Sequence, residues 1–372
     1  MGQPLTTPST SALDPHIVTL GTAGGPRWWT RGVPQQRCGI STAVVVGDGF
    51  YLVDCGHGVG RRLNEAGLTM AGLRGVFITH LHSDHTVDLG SLALFGLYEM
   101  TDRQDRPVTI MGPGDRGMLP RVSPRAQRAP QPLNPENPTP GTRDLFRTLM
   151  HAHATDLNDR ILDSLRPNPL DLFQVEDIEL PQGLGYHPND RPNPDMDPFV
   201  IFRDEYVTVS AILVEHPPVA PAFGFRFETA EGSVTFSGDT AETANMVRLA
   251  QGTDLLLHEA IDFGFVESMY ADKVDEASRA SRDHHYKSHT SVEGAARIAT
   301  AAGARQLALH HLVPGTAAPA VWERGEALFD GEFHVPDDLQ SIPFGAARPS
   351  PQAPAAADPE NQATSPQDVM TP

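Results

Sequence analysis

Four metal-ligand side chains fall within six positions in the run His80-Leu81-His82-Ser83-Asp84-His85. The preceding Val76-Phe77-Ile78 is a short β-branched and aromatic run, which reads as a buried strand. After the run, Asp88 is placed to cap a helix whose apolar face would include Leu89, Leu92 and Phe95. The cluster therefore leaves the end of a strand on a loop, where side chains can converge on one point. Imidazole and carboxylate are the ligands that borderline cations such as zinc accept. The tight spacing suits two ions side by side, one taking His80 and His82, the other Asp84 and His85. The bland alternative, a polar loop that is His-rich by accident, does not account for four such residues directly after a buried strand.

Strands and helices alternate around this run. Residues 16–20 read as a strand feeding a turn-rich loop at 21–26. Residues 42–46 and 50–53 read as a hairpin around Gly47-Asp48-Gly49, and residues 59–66 as a helix closed by Gly67. Residues 108–111, 206–214, 223–227, 233–236, 255–257 and 307–309 read as further strands, and 143–165 as a helical segment. Thr290 and Glu293 have capping-box spacing ahead of a helix with Val292, Ala295, Ala296, Ala299 and Ala302 on its apolar face. His216 and Asp239 each follow an apolar strand, where a ligand can be presented. Residues 120–140 are too rich in proline for regular structure.

The His-x-His-x-Asp-His run resembles the metal-binding signature of the metallo-β-lactamase-fold hydrolases, and the resemblance extends over about residues 16–313. Two further segments resemble the ribonuclease Z and arylsulfatase-like branch: His258-Glu259-Ala260 and His289-Thr290-Ser291-x-Glu293. The implied fold is α/β, a four-layer αββα sandwich with an inserted lid segment at about 115–204. It would span 16–345, between a flexible N-terminus (1–15) and a disordered tail (346–372). Alternation of strands and helices alone would equally fit a doubly wound sheet. The resemblance implies that His216 completes the ligands of the first metal with His80 and His82, and that Asp239 bridges both ions. The second metal takes Asp84, His85 and a histidine after the strand 307–309. Both His310 and His311 follow that strand; the ribonuclease Z pattern, strand then Thr-His, places the ligand at His311. The implied cofactors are two divalent ions, zinc first, with manganese or iron acceptable to the same ligands. The implied catalytic residues are Asp84, through the second metal, Glu259 as an orienting carboxylate, and His289 as donor to the reacting group. Asp54 matches a partner of a ligand histidine. The implied reaction is attack by a metal-bridging hydroxide on an ester-type bond: phosphodiester, sulfate ester, carboxylic ester or lactone.

Charge and insertions point away from nucleic acid. The formal net charge is −19, whereas a phosphate-backbone binder carries a basic face; a local basic patch remains compatible with this sum. Ribonuclease Z enzymes usually carry a tRNA-gripping arm between the third histidine and the bridging aspartate, and here that stretch is direct. The large insertion lies instead between Gly114 and Asp204, and reads as a lid over a small-molecule pocket. The expected partner is therefore a small molecule and not a nucleic acid, with tRNA 3′-processing as the alternative. A non-hydrolytic metal-binding or redox member is a further alternative, but no second glycine-rich nucleotide-binding module follows Leu312. With only Cys38 and Cys55 a disulfide framework is excluded and a cytoplasmic setting favoured. No apolar run is long enough to span a membrane, and a homodimer is compatible with all of this.

The remaining candidates are weaker. His57 reads either as lining the pocket or, in preference, as exposed or lying behind the ligands. His258 reads as structural, on the opposite side of its strand from Glu259. His151 and His153, two apart on a helix, do not share a face, so no third metal site is expected there and the alternative role is contact of one of them with substrate. His284 and His285 sit in a polar run and read as solvent-exposed. The adjacent Trp28 and Trp29 read as core, or as a stacking surface beside a pocket.

Overall fold

Strands such as Gly49–Val53, Leu255–Ile261 and Gln306–Val313 bury every side chain, which happens only when both faces of a sheet are covered. The computed structural model describes residues 15–29, 37–100 and 106–345. The expectations for residues 1–14 and 346–372 lie outside these described residues. The first sheet is built mainly from β1 (His16–Gly21), β2 (Ser41–Val46), β3 (Gly49–Val53), β4 (Leu73–Phe77), β5 (Val108–Pro113) and β6 (Phe173–Ile178). The second holds β7 (Phe199–Arg203), β8 (Thr208–Leu213), β9 (Phe223–Glu228), β10 (Ser233–Phe236), β11 (Leu255–Ile261), β12 (Gln306–Val313) and β13 (Glu332–His334). The last strand, β14 (Ser341–Pro343), returns to the first sheet, whose order is β14-β1-β2-β3-β4-β5-β6; the second runs β13-β12-β11-β10-β9-β8-β7.

The inner faces of the two sheets meet in one core that joins Val44, Tyr51 and Phe77 to Val209, Phe225 and Phe227. Phe77 is its hub, edge-on to Phe227 at 5.2 Å, to Phe202 at 5.5 Å and to Phe225 at 5.9 Å between ring centroids, arrangements that aromatic quadrupoles favour. Helices Val59–Glu65, Leu89–Gly96 and Thr142–Ala152 cover the outside of the first sheet through Leu63, Leu92 and Phe146. Val292–Ala302 covers the second through Ala295, Ala296 and Ala299. This is the αββα sandwich of the metallo-β-lactamase fold. We expect Phe77→Ala to lower unfolding free energy by about 3–5 kcal/mol, because the ring leaves a cavity between two sheets that cannot close on it; urea unfolding measures it.

Local readings shift in places. The helical segment at 143–165 is two helices, Thr142–Ala152 and Ala154–Leu162, broken at His153. Phe95 is 69% exposed rather than part of the apolar face. Asp88 makes no side-chain cap; its Oδ2 accepts from the Gly58 amide at 2.6 Å. The cap of the last long helix is Ser291, which accepts from Gly294 N, while Thr290 donates to the Thr240 carbonyl at 2.5 Å.

Candidate metal centre

The C-terminal ends of β4, β10, β11 and the bulged part of β12 open at one edge of the sandwich, where ligand sites of α/β sheets lie. Asp54, in the left-handed region at φ 62° just past β3, turns its carboxylate under the loop after β4. It accepts from Thr79 N at 2.8 Å, from Thr79 Oγ1 at 2.8 Å and from His85 Nδ1 at 2.8 Å. The last bond fixes the His85 ring with Nε2 turned away from Asp54, as carboxylates behind ligand histidines do. Ser288 plays the same part for His216, accepting from its Nδ1 through the backbone carbonyl at 2.8 Å. Asp84 and His85 share the short helix Ser83–Thr86. Gly25 N donates to Asp84 Oδ2 at 2.9 Å. A side chain at Gly24 would place its Cβ 2.3 Å from the His311 ring, so only glycine lets that loop close.

Two groups of donor atoms result, each with all its atoms within 4.8 Å of one another: His80, His82, His216 and Asp239, and Asp84, His85, Asp239 and His311. Asp239 Oδ2 lies 3.8 Å from Nε2 of both His80 and His216 and 3.3 Å from His311 Nε2, while Oδ1 lies 3.4 Å from His85 Nε2. His80 Nε2, His85 Nε2 and Asp239 Oδ1 are buried without a hydrogen-bond partner, an arrangement that costs free energy unless a cation satisfies it. Burial holds the His80 and His216 imidazoles well below their ordinary pKa and so neutral, the form that ligates metals. Burial opposes charge on His85 too, but Asp239, Asp54 and Asp84 around it override this and push it well above. That surplus of carboxylate is what a divalent cation balances. The donor set fits divalent metal ions, with Asp239 shared between the groups.

A bulge separates His311 from its neighbour. In the pairing of β11 with β12, Glu259 faces His310 and Ala260 faces Leu312, so His311 is skipped, with φ 47°. The extra residue re-aims its side chain toward Asp84 and Asp239, whereas His310 is buried with its ring 6.2 Å from that of Phe236.

Beside the groups, Glu259 is fully buried and accepts from Thr240 N at 2.6 Å, and its two carboxylate oxygens lie 3.0 and 3.1 Å from His289 Nδ1. Burial opposes protonation of His289, but Glu259, with Asp239 and Asp84 behind it, pushes its pKa up to about 9. The His289 ring lies 5.0 Å from that of His216. His258 is buried and directs Nδ1 to the Glu259 carbonyl at 2.9 Å. His151 and His153 are exposed and away from the centre, and His57 is exposed. His284 and His285 are not the solvent-facing pair expected. They lie on the helix Glu276–Ser288, and His284 brings its ring to 6.2 Å from His82, 5.9 Å from His216 and 5.8 Å from His289. Its environment pulls its pKa down to about 3, by burial first and then by His289.

Two family profiles match the chain: the beta-lactamase superfamily domain over residues 192–312 and the anti-Pycsar protein Apyc1 over residues 41–111. A ribonuclease Z of Mycobacterium sp. (strain KMS) is 32% identical over 334 residues, covering 88% of this chain and 95% of its own. The chain belongs to the ribonuclease Z family. A second member, from Mycobacterium bovis (strain BCG / Pasteur 1173P2), is 30% identical over 335 residues, covering 88% and 97%. Among solved structures, human tRNase Z, short form, superposes with a TM-score of 0.56 at 20% identity, covering 89% of this chain and all of that one. The metallo-β-lactamase fold protein YhfI from Bacillus subtilis gives 0.54 at 16%, covering 88% and 99%. These two show the fold. The chain is a metal-dependent hydrolase. The family membership overturns the expected small-molecule partner and the exclusion of nucleic acid: the relatives that match nearly end to end are ribonucleases by name. No helix among the described residues is long and apolar enough to cross a membrane.

Proposed function

We propose that the protein is an RNA phosphodiesterase that cuts precursor tRNA at its 3′ side. The carrying observation is the match to ribonuclease Z over 334 residues at 32% identity, which takes in both donor groups. A loop rich in arginine lies beside the centre, although carboxylates from neighbouring elements pair with part of it. Arg116, Arg121, Arg125 and Arg128 fall in thirteen residues without one carboxylate between them. Arg116 donates to the carbonyl of Pro218, two residues past His216, which ties this basic loop to the rim of the centre. Arg121 pairs with Asp190, Arg125 pairs with Glu276 at 3.3 Å and with Asp283 at 2.9 Å on the helix that carries His284, and Arg128 is exposed. A phosphate backbone approaching the centre would meet this loop, which lies in the insertion before His216 rather than in an arm after it.

His80, His82 and His216 would hold one ion, Asp84, His85 and His311 the other, and Asp239 both, zinc being the first choice. Such a pair, when bound, supplies Lewis acidity and acidifies a water. Glu259 keeps the His289 proton on Nδ1 and orients the ring. The imidazolium of His289 gives its Nε2 proton to the leaving ribose oxygen, a poor leaving group that needs one, and is left neutral with its Nδ1 proton hydrogen-bonded to Glu259. A precursor tRNA with a 3′ extension, incubated with the metal-loaded protein, should be cut at one position. No cleavage of any RNA, by protein that still hydrolyses an aryl phosphodiester, would overturn the proposal.

A further inference from the structure

The two adjacent tryptophans have different fates. Trp29 is half-buried, donates Nε1 to the Gly24 carbonyl at 3.0 Å and meets Phe265 edge-on at 5.9 Å. Trp28 is 79% exposed. Trp28 shares this exposure with Val87, 52% exposed on the same cavity, so the two form an apolar rim rather than a single exposed side chain. It walls a cavity of about 200 Å³ with Arg27, His57, Val87 and Gly25, and Asp84 lies on the cavity wall. Asp84 belongs to the second donor group and is held by Gly25 N, so the cavity opens directly onto the centre. Its volume is below the roughly 300–1,000 Å³ of pockets for drug-sized ligands, which suits one planar ring system. Its walls combine an indole with the half-exposed Val87, and Arg27 adds a cation. A flat π-surface flanked by an anion is what they complement, and a nucleotide has that form.

We propose that Trp28 is the stacking platform for an unpaired nucleobase next to the scissile phosphate, with Arg27 facing the adjoining backbone. This rests on the RNA reading above and adds to it the residue against which the base next to the cut would stack. Stacking on an indole tolerates every base, because each has a π-face, so the site would sense strandedness rather than sequence.

The test compares wild type, Trp28→Phe and Trp28→Ala on a precursor tRNA and on versions made abasic at either nucleotide flanking the cut. Trp28 is exposed, so the variants should keep the unfolding midpoint and metal content of the wild type. Trp28→Ala should raise KM by about 5- to 150-fold, the range of one lost base–aromatic stack, and Trp28→Phe should recover most of it. One abasic substrate should cost the wild type a similar factor and cost Trp28→Ala nothing more, because both remove the same contact. Unchanged KM in Trp28→Ala, or losses that multiply at both abasic positions, overturns the platform while leaving RNA cleavage standing. Failure of the wild type to cut any precursor sinks the RNA reading and the platform with it, before any variant is compared.

Discussion

Asp84→Ala should abolish hydrolysis, by about 10³-fold or more, and leave the protein folded. The residue sits on the four-residue helix Ser83–Thr86 outside both sheets, and its carboxylate is the one acceptor shared by Gly25 N at 2.9 Å and His311 Nε2 at 3.3 Å. Truncation leaves the second donor group with His85, His311 and Asp239, short of one anionic ligand, and leaves the Gly25 amide without its acceptor. Loss of the chemistry a metal pair supplies amounts to several kcal/mol of transition-state stabilisation. The core around Phe77 is untouched, so the unfolding transition should remain cooperative. Elemental analysis should show the metal content of the variant falling toward half that of the parent. Near-full turnover in Asp84→Ala would remove the second group from the reaction. Wild-type activity that survives exhaustive chelation, in protein free of transition metal, would remove both.

The centre was readable wherever its residues are contiguous or sit at the end of an apolar strand. His80 to His85 advertise themselves by spacing, and His216 and Asp239 by the strands before them. The preference for His311 over His310 rests on a family pattern, because the bulge that separates them has no signature in Leu307-Ala308-Leu309. The helix Glu276–Ser288 is hidden in the sequence for a different reason. Its sequence, EASRASRDHHYKS, lacks an apolar stripe, and it is held by Asp275 capping Ser278 N and by ion pairs such as Arg282 to Glu267 at 2.6 Å. Hydrophobic periodicity cannot find such a helix, so the polar run reads as solvent-exposed although His284 stands over the centre. Phe95 failed in the opposite sense: a helical period places it on the apolar face, yet it is exposed. Net charge misleads about the substrate because it averages over the whole surface, while a phosphate backbone meets only one part of it.

His289→Ala should separate substrates by their leaving groups. The ring commits Nδ1 to Glu259, at 3.0 Å from Oε2, and stands beside the first donor group, 5.0 Å from the ring of His216. A group so placed can deliver a proton to an oxygen leaving the reaction centre, a contribution of about 10²–10⁴-fold in general acid catalysis. Precursor RNA, whose leaving oxygen belongs to a ribose, should therefore lose about that much turnover in the variant. A nitrophenyl phosphodiester expels a stable anion and should change little. Glu259→Gln should produce a smaller loss with the same selectivity: the amide still accepts from Nδ1 and holds the ring, but no longer supplies the negative charge that favours its proton. Because Glu259 also accepts from Thr240 N, next to Asp239, metal content must be measured in parallel, so that a displaced ligand is not mistaken for a lost acid. Equal losses on both substrates would instead mean that His289 stabilises charge on a non-leaving oxygen. A variant with full metal content and no loss on either would reduce the Glu259–His289 pair to a brace for the loop that carries Ser288 against His216.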